Sequence, residues 1–189
     1  MVKVLELERK FRVGFVPVSI SHYFSGTARW IEQGYLCFDP PTRVRLELPF
    51  PQFRPSWPAG EEQIPSRDRR GWKAYLGSKV RNKSGDWKTQ QEEEVGIPPS
   101  LGWTLFDNVA RATLSKVRYR VSDGDFILDV FTKPCLSGLI IVERELAHPL
   151  ESIAAIGAYS FPGLTEVTED PRYRNVNLAQ IASLEELED

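Results

Sequence analysis

Charged side chains recur at every second position along several short segments. In ELERKF, residues 6–11, Glu6, Glu8 and Lys10 fall on one face of an extended chain, with Leu7, Arg9 and Phe11 on the other. Arg43, Arg45 and Glu47 alternate with Val44, Leu46 and Leu48, and Lys116, Arg118 and Arg120 with Val117, Tyr119 and Val121. Lys79 and Arg81 share a parity, as do Glu92 and Glu94, and Glu143 and Glu145; Asp129 comes from FILDVF. The rows hold eight cations (Lys10, Arg43, Arg45, Lys79, Arg81, Lys116, Arg118, Arg120) and eight anions (Glu6, Glu8, Glu47, Glu92, Glu94, Asp129, Glu143, Glu145).

Two architectures can carry such rows. One is an ordinary sheet with its charged face in water; the other is a closed barrel whose charged face lines a lumen. Dehydrating an ion costs several kcal/mol even after relaxation, so a lumen of this kind has to be wet and built for an ionic guest. Opposite charges about 4 Å apart attract by roughly 4 kcal/mol at an effective dielectric near 20, so converging cations can hold a polyanion. Carboxylates beside that polyanion make sense if they hold divalent cations against it. Oxygen donors alone point to Mg²⁺ or Mn²⁺, and a polyphosphate is the natural guest.

The positioning elements are mostly strands. Alternation predicts them at 3–13, 33–38, 42–48, 72–81, 87–95, 114–121, 125–131 and 139–146. Helical spacing predicts helices at 18–29, at 99–112 (Leu101, Leu105, Val109, Ala112) and at 175–187 (Leu178, Ile181, Leu184). The stretch 49–71 carries Pro49, Pro51, Pro55, Pro58 and Pro65 and reads as an insertion loop, with Arg67, Arg69 and Arg70 as a solvated cluster.

At 189 residues the chain is expected to form a single domain, residues 1–189, with a core that needs no staples. A net charge of −2 gives no general reason to bind nucleic acid or an acidic membrane. Cys37 and Cys135 lack metal spacing and suggest no disulfide framework, and the charged N-terminus is unlike a signal peptide, so a cytoplasmic protein is expected. No phosphate-binding GxxxxGK[ST] loop occurs, and His22 and His148 sit in no motif pairing them with a nucleophile. No aromatic constellation marks a base pocket, and Arg172, Tyr173 and Asn175 read as structural residues closing one end of a barrel.

In order along the chain, ELERK, QGYL at 33–36, TRVRLE at 42–47, YLGSK ending at Lys79, EEEVGIP at 92–98, KVRY at 116–119, LDVF at 128–131, GLIIVERE at 138–145 and EVTEDPRYRN at 166–175 resemble the CYTH family, the triphosphate tunnel metalloenzymes, in its compact bacterial-type branch. The resemblance runs from Glu6 to Leu178. It implies a mainly β, α+β fold: a closed eight-stranded antiparallel β-barrel forming a tunnel, with flanking helices. It implies phosphate binding by Lys10, Arg43, Arg45, Lys79, Lys116 and Arg118, and metal binding by Glu6, Glu8, Glu143 and Glu145. Glu92, Glu94 and Asp129 are secondary candidates, as ligands or as partners of the cations; Lys10 and Glu8 are the catalytic candidates. Two departures stand out. Gly77 and Ser78 precede Lys79 where relatives carry a threonine and an aliphatic residue, and Gln90 replaces an expected arginine, with Lys88 nearby.

The expected activity is hydrolysis of a triphosphate with Mg²⁺ or Mn²⁺, tripolyphosphate first, thiamine or nucleoside triphosphate next. The alternatives are a class IV-type adenylate cyclase and a non-catalytic polyphosphate- or nucleotide-binding module. The expected partner is a triphosphate-containing small molecule.

Overall fold

The computed structural model describes residues 4–17, 28–49, 65–68, 70–81, 89–120, 126–146 and 161–188, with the backbone alone at 4–7, 80–81, 89–91 and 145. These residues form nine strands: β1 (Val4–Val13), β2 (Arg29–Phe38), β3 (Pro41–Pro49), β4 (Lys73–Arg81), β5 (Thr89–Ile97), β6 (Ala112–Arg120), β7 (Phe126–Phe131), β8 (Ile140–Glu145) and β9 (Thr165–Glu166). All lie in one antiparallel sheet of order β5-β4-β3-β2-β6-β7-β8-β1-β9. β1 serves several neighbours. Residues 4–7 pair with β5, residues 8–13 with β8, and Phe11 and Arg12 also with β9.

Eight of these strands were expected from alternation; the ninth is two residues long, too short to leave a period. β2 begins at Arg29, four residues before its expected start, because Trp30 and Ile31 are both buried on opposite faces and so do not alternate in polarity. β3 runs to Pro49, taking the first residue of the expected insertion loop. Residues 50–64 and 69 of that loop, residues 18–27 of the first expected helix, and His22, Lys88 and His148 lie outside the described residues.

The second expected helix is α1 (Pro99–Asn108), shorter than predicted because the chain enters β6 at Ala112. The C-terminal one is a single turn, α2 (Asn175–Leu178), followed by a separate 3-10 turn at Leu184–Leu187. Between them Ser183 is extended and caps the 3-10 turn reciprocally with Glu186, which ends one element and starts the next. No helix among the described residues is long and apolar enough to cross a membrane.

Two apolar cores flank the charged rows. The first lies on the opposite face of the sheet and includes Trp30, Val44, Leu46, Val117, Leu128 and Val142, with Trp103, Leu105 and Phe106 of α1 packed against the cluster. α1 comes close through glycine: a Cβ at Gly102 would stand 2.6 Å from that of Ala74, and one at Gly34 would stand 2.8 Å from that of Ala110. The second core lies on the charged face itself, at one end. Tyr35, Leu114, Phe131 and Ile141 continue the parity of Gln33, Lys116, Asp129 and Glu143, and the C-terminal residues Tyr173, Leu178, Ile181 and Leu187 cover them.

Candidate functional site

The strand registers gather the charged rows into two ion-pair networks. In the first, β1 and β8 set Lys10 opposite Glu143 and Glu8 opposite Glu145. Lys10 Nζ stands 2.8 Å from Glu143 and 3.2 Å from Glu8. The other oxygen of Glu143 accepts from Arg118 at 3.0 Å. Arg118 also donates twice to Asp129, at 2.7 and 2.6 Å, and the same carboxylate accepts from Lys116. Asp129 is fully buried, so its charge serves these two cations and not solvent.

In the second network Arg43 is paired with Glu92, which also lies 3.3 Å from Lys79, while Arg45 meets Glu94 at 2.7 Å and Glu47 at 3.0 Å. Arg29 meets the second oxygen of Glu47 at 2.8 Å. Antiparallel pairing of β3 with β4 and of β4 with β5 brings these residues across two strands.

The balance of burial against charge differs from group to group. Burial disfavours the ammonium of Lys10, yet Glu143 and Glu8 outweigh it and raise its pKa. Burial likewise opposes the charge on Glu143, but Lys10, Arg118 and Lys116 hold its carboxyl well below the usual range. Arg118 stays above its ordinary value because Asp129 and Glu143 overcome its burial. Lys116 goes the other way. Its burial, reinforced by Arg118, outweighs Asp129 and pushes the ammonium down to about 8. Burial also raises Glu94 against the pull of Arg45, and burial with repulsion from Arg43 lowers Arg45.

The networks face one cavity of about 370 Å³, lined by Lys10, Arg43, Arg45, Lys79, Lys116 and Arg118 among the cations and by Glu8, Glu92, Glu94 and Glu143 among the anions. All six expected phosphate-binding residues are thus brought together. Arg120 lines the same cavity. The side chains of Glu6, Glu145, Arg81 and Gln90 lie outside the described residues. Arg67 belongs elsewhere: it stacks 4.3 Å from the ring centre of Trp103 and pairs with Asp107.

A second cavity, of about 520 Å³, opens from the first through the shared residues Glu8, Lys10, Arg43, Lys79 and Asn175. Its walls differ in character. Tyr35, Phe38, Pro40 and Pro41 form one side, and Tyr173 and Val176 of the C-terminal segment the other, with Asp39 and Asp170 adding negative charge. The sequence offers no aromatic constellation as a base pocket; the fold brings Tyr35 and Tyr173, nearly 140 positions apart, to the lining of one cavity. Asn175, read as structural from sequence, lines both cavities, with its side-chain oxygen 3.4 Å from Lys116 Nζ. The signal lay in EVTEDPRYRN, whose residues occupy this junction.

No protein-family model matches the chain, and no curated protein matches it by sequence search. Solved structures do. A crystal structure of NE1496 described as a hypothetical protein is 29% identical over 93% of this chain and 98% of its own, with a TM-score of 0.52. Another crystal structure, of NE1496 as an inorganic triphosphatase, is 28% identical over 95% and 97% of the two chains, with a TM-score of 0.53. PH1012 from Pyrococcus horikoshii OT3, 18% identical over 82% of this chain and 87% of its own with a TM-score of 0.50, shares the fold. Together with the ordered motifs and the antiparallel sheet, these likenesses support a CYTH domain.

Proposed function

We propose that this protein hydrolyses a triphosphate, inorganic tripolyphosphate first, with a divalent metal, in a lumen formed where β1 joins β5 and β8 and closes eight strands into a barrel. The observation that carries the reading is the convergence of Lys10, Arg43, Arg45, Lys79, Lys116 and Arg118 on one cavity. Likeness to the inorganic triphosphatase NE1496 supports it. Six cations are far more than a fold needs on one face. Each already has a carboxylate partner, so an entering phosphate chain exchanges one anion for another and does not meet bare charge.

Among the described side chains no three metal-ligating groups cluster. The donor types nevertheless fit a hard cation: Glu8 and Glu143 are both carboxylates and already converge on the single charge of Lys10. Glu6, Glu8, Glu143 and Glu145 would hold Mg²⁺ or Mn²⁺, which supplies charge neutralisation and a more acidic water. The cations do the rest. They bind the non-bridging oxygens, fix the terminal phosphorus in line for attack and stabilise the charge that spreads over them. Water oxygen bonds to the terminal phosphorus, the bond from that phosphorus to the bridging oxygen breaks, and phosphate and pyrophosphate leave with release of a proton. Lys10, between Glu8 and Glu143, is the residue best placed to link the phosphate grip to the carboxylates.

A second reading has its own observation. The aromatic cavity beside the charged one has room for an organic group, which favours thiamine or nucleoside triphosphate as further substrates. One assay separates the readings: phosphate and pyrophosphate release from tripolyphosphate, ATP and thiamine triphosphate, with Mg²⁺, Mn²⁺ or chelator. Metal-dependent phosphate release from tripolyphosphate, reduced at least about 100-fold in Glu8→Gln, is the expected result. Pyrophosphate release with cyclic AMP from ATP would instead make the protein a cyclase, and tight binding without turnover would make it a binding module.

A further inference from the structure

The C-terminal segment holds two of the site's cations at once. At one end it takes over the backbone of Lys10: Lys10 N–H donates to Thr168 Oγ1 at 3.0 Å, and Val167 N–H donates to the carbonyl of Lys10 at 2.9 Å. At the other end Asn175 reaches Lys116. Between them the segment is stiff. Asp170 accepts from the backbone and the guanidinium of Arg172, Asn177 Nδ2 donates to the carbonyl of Pro171 at 2.7 Å, and Tyr173 and Leu178 are buried. Asn175 is therefore set in place by its neighbours and not by its own side chain.

An ammonium only donates, so the atom that Asn175 turns to Lys116 must be its carbonyl oxygen. The amide nitrogen, with two donors, is then left for the cavities that Asn175 lines on both sides. Among the described residues it has no other hydrogen-bond partner. The position is the junction of the cationic cavity with the aromatic one. We infer that Asn175 is a positioning and substrate-contacting residue: its carbonyl fixes the ammonium of Lys116 and its amide donates to the phosphate at the junction. The amide is a neutral donor, and Asp39, Asp170 and Arg174 line the aromatic cavity beside it.

The assignment rests on the triphosphate reading, and the test keeps the two apart. Tripolyphosphate binding is measured by calorimetry in chelator for the native protein, Asn175→Ala and Asn175→Asp, with melting temperatures and KM and kcat in Mg²⁺ alongside. Since the side chain supports no other element, both variants should melt close to the native protein. Asn175→Ala should weaken binding and raise KM about tenfold or more, as expected for a lost hydrogen bond to a charged group. Asn175→Asp, of the same shape but presenting an acid to the anion, should weaken it further. Native-like binding by both variants, or losses that merely follow a fall in melting temperature, would overturn the assignment while leaving the triphosphate reading intact. A native protein that does not bind tripolyphosphate would overturn both.

Discussion

Asp129 is surrounded by Lys116 and Arg118, with no exposure to water, and this makes it the residue on which the cationic side of the cavity most depends. Asp129→Asn keeps the shape and removes the charge, leaving buried Lys116 without its carboxylate and half-buried Arg118 with Glu143 alone. Loss of one member of a buried ion pair costs roughly 3–5 kcal/mol, and denaturant unfolding should report a loss of that size. Lys116 supplies a second test. Its pKa in the folded protein is about 8, below the ordinary lysine value of 10.5, so between those limits the unfolded chain binds a proton that the folded one does not. The contribution of this group to stability therefore rises as pH climbs from 8 to 10.5, by roughly 3 kcal/mol, and is lost as pH falls through 8. Binding has the opposite sign: above pH 8 the neutral amine no longer grips an anion. Tripolyphosphate affinity should fall there, with proton uptake on binding seen by calorimetry in buffers of different ionisation enthalpy. Lys116→Arg should remove that dependence.

At the scale of elements, α1 is the support behind β2 and the cation-bearing strands β3 and β4. It lies against the faces opposite Arg43 and Arg45 and depends on close approach at Gly102. A methyl group there would meet the Cβ of Ala74, so Gly102→Ala should destabilise by roughly 1–3 kcal/mol, measured as a lower melting temperature. β3 and β6 are legible in the sequence because one face is charged and the other wholly apolar. β2 is less so, since Trp30 and Ile31 are both buried and its start leaves no alternation. The C-terminal segment is the least legible. Its apolar spacing at Leu178, Ile181 and Leu184 suggests one helix, whereas Ser183 and Glu186 cap a separate turn, and β9 is too short to register.

For the whole molecule, a net charge of −2 conceals a strongly segregated arrangement. The charged rows could be read from parity alone; the choice of six cations among their eight came from the family resemblance, and Arg120, left out of that choice, lines the cavity too. The pairing of each cation could not, because it depends on strand register: Arg43 meets Glu92 and Arg45 meets Glu94 only through β4 and β5. The aromatic cavity was equally hidden, since its walls come from the β2–β3 turn and the C-terminal segment. What unites these features is one claim, that the cations of the inner cavity grip a triphosphate. The most direct test is a crystal structure of the protein with tripolyphosphate and Mg²⁺. Three phosphorus positions are expected within the cavity bounded by Lys10, Arg43, Arg45, Lys79, Lys116 and Arg118, with Arg43 and Arg45 turned from Glu92 and Glu94 to phosphate oxygens. Tripolyphosphate bound outside that cavity, with the ion pairs unchanged, would contradict it.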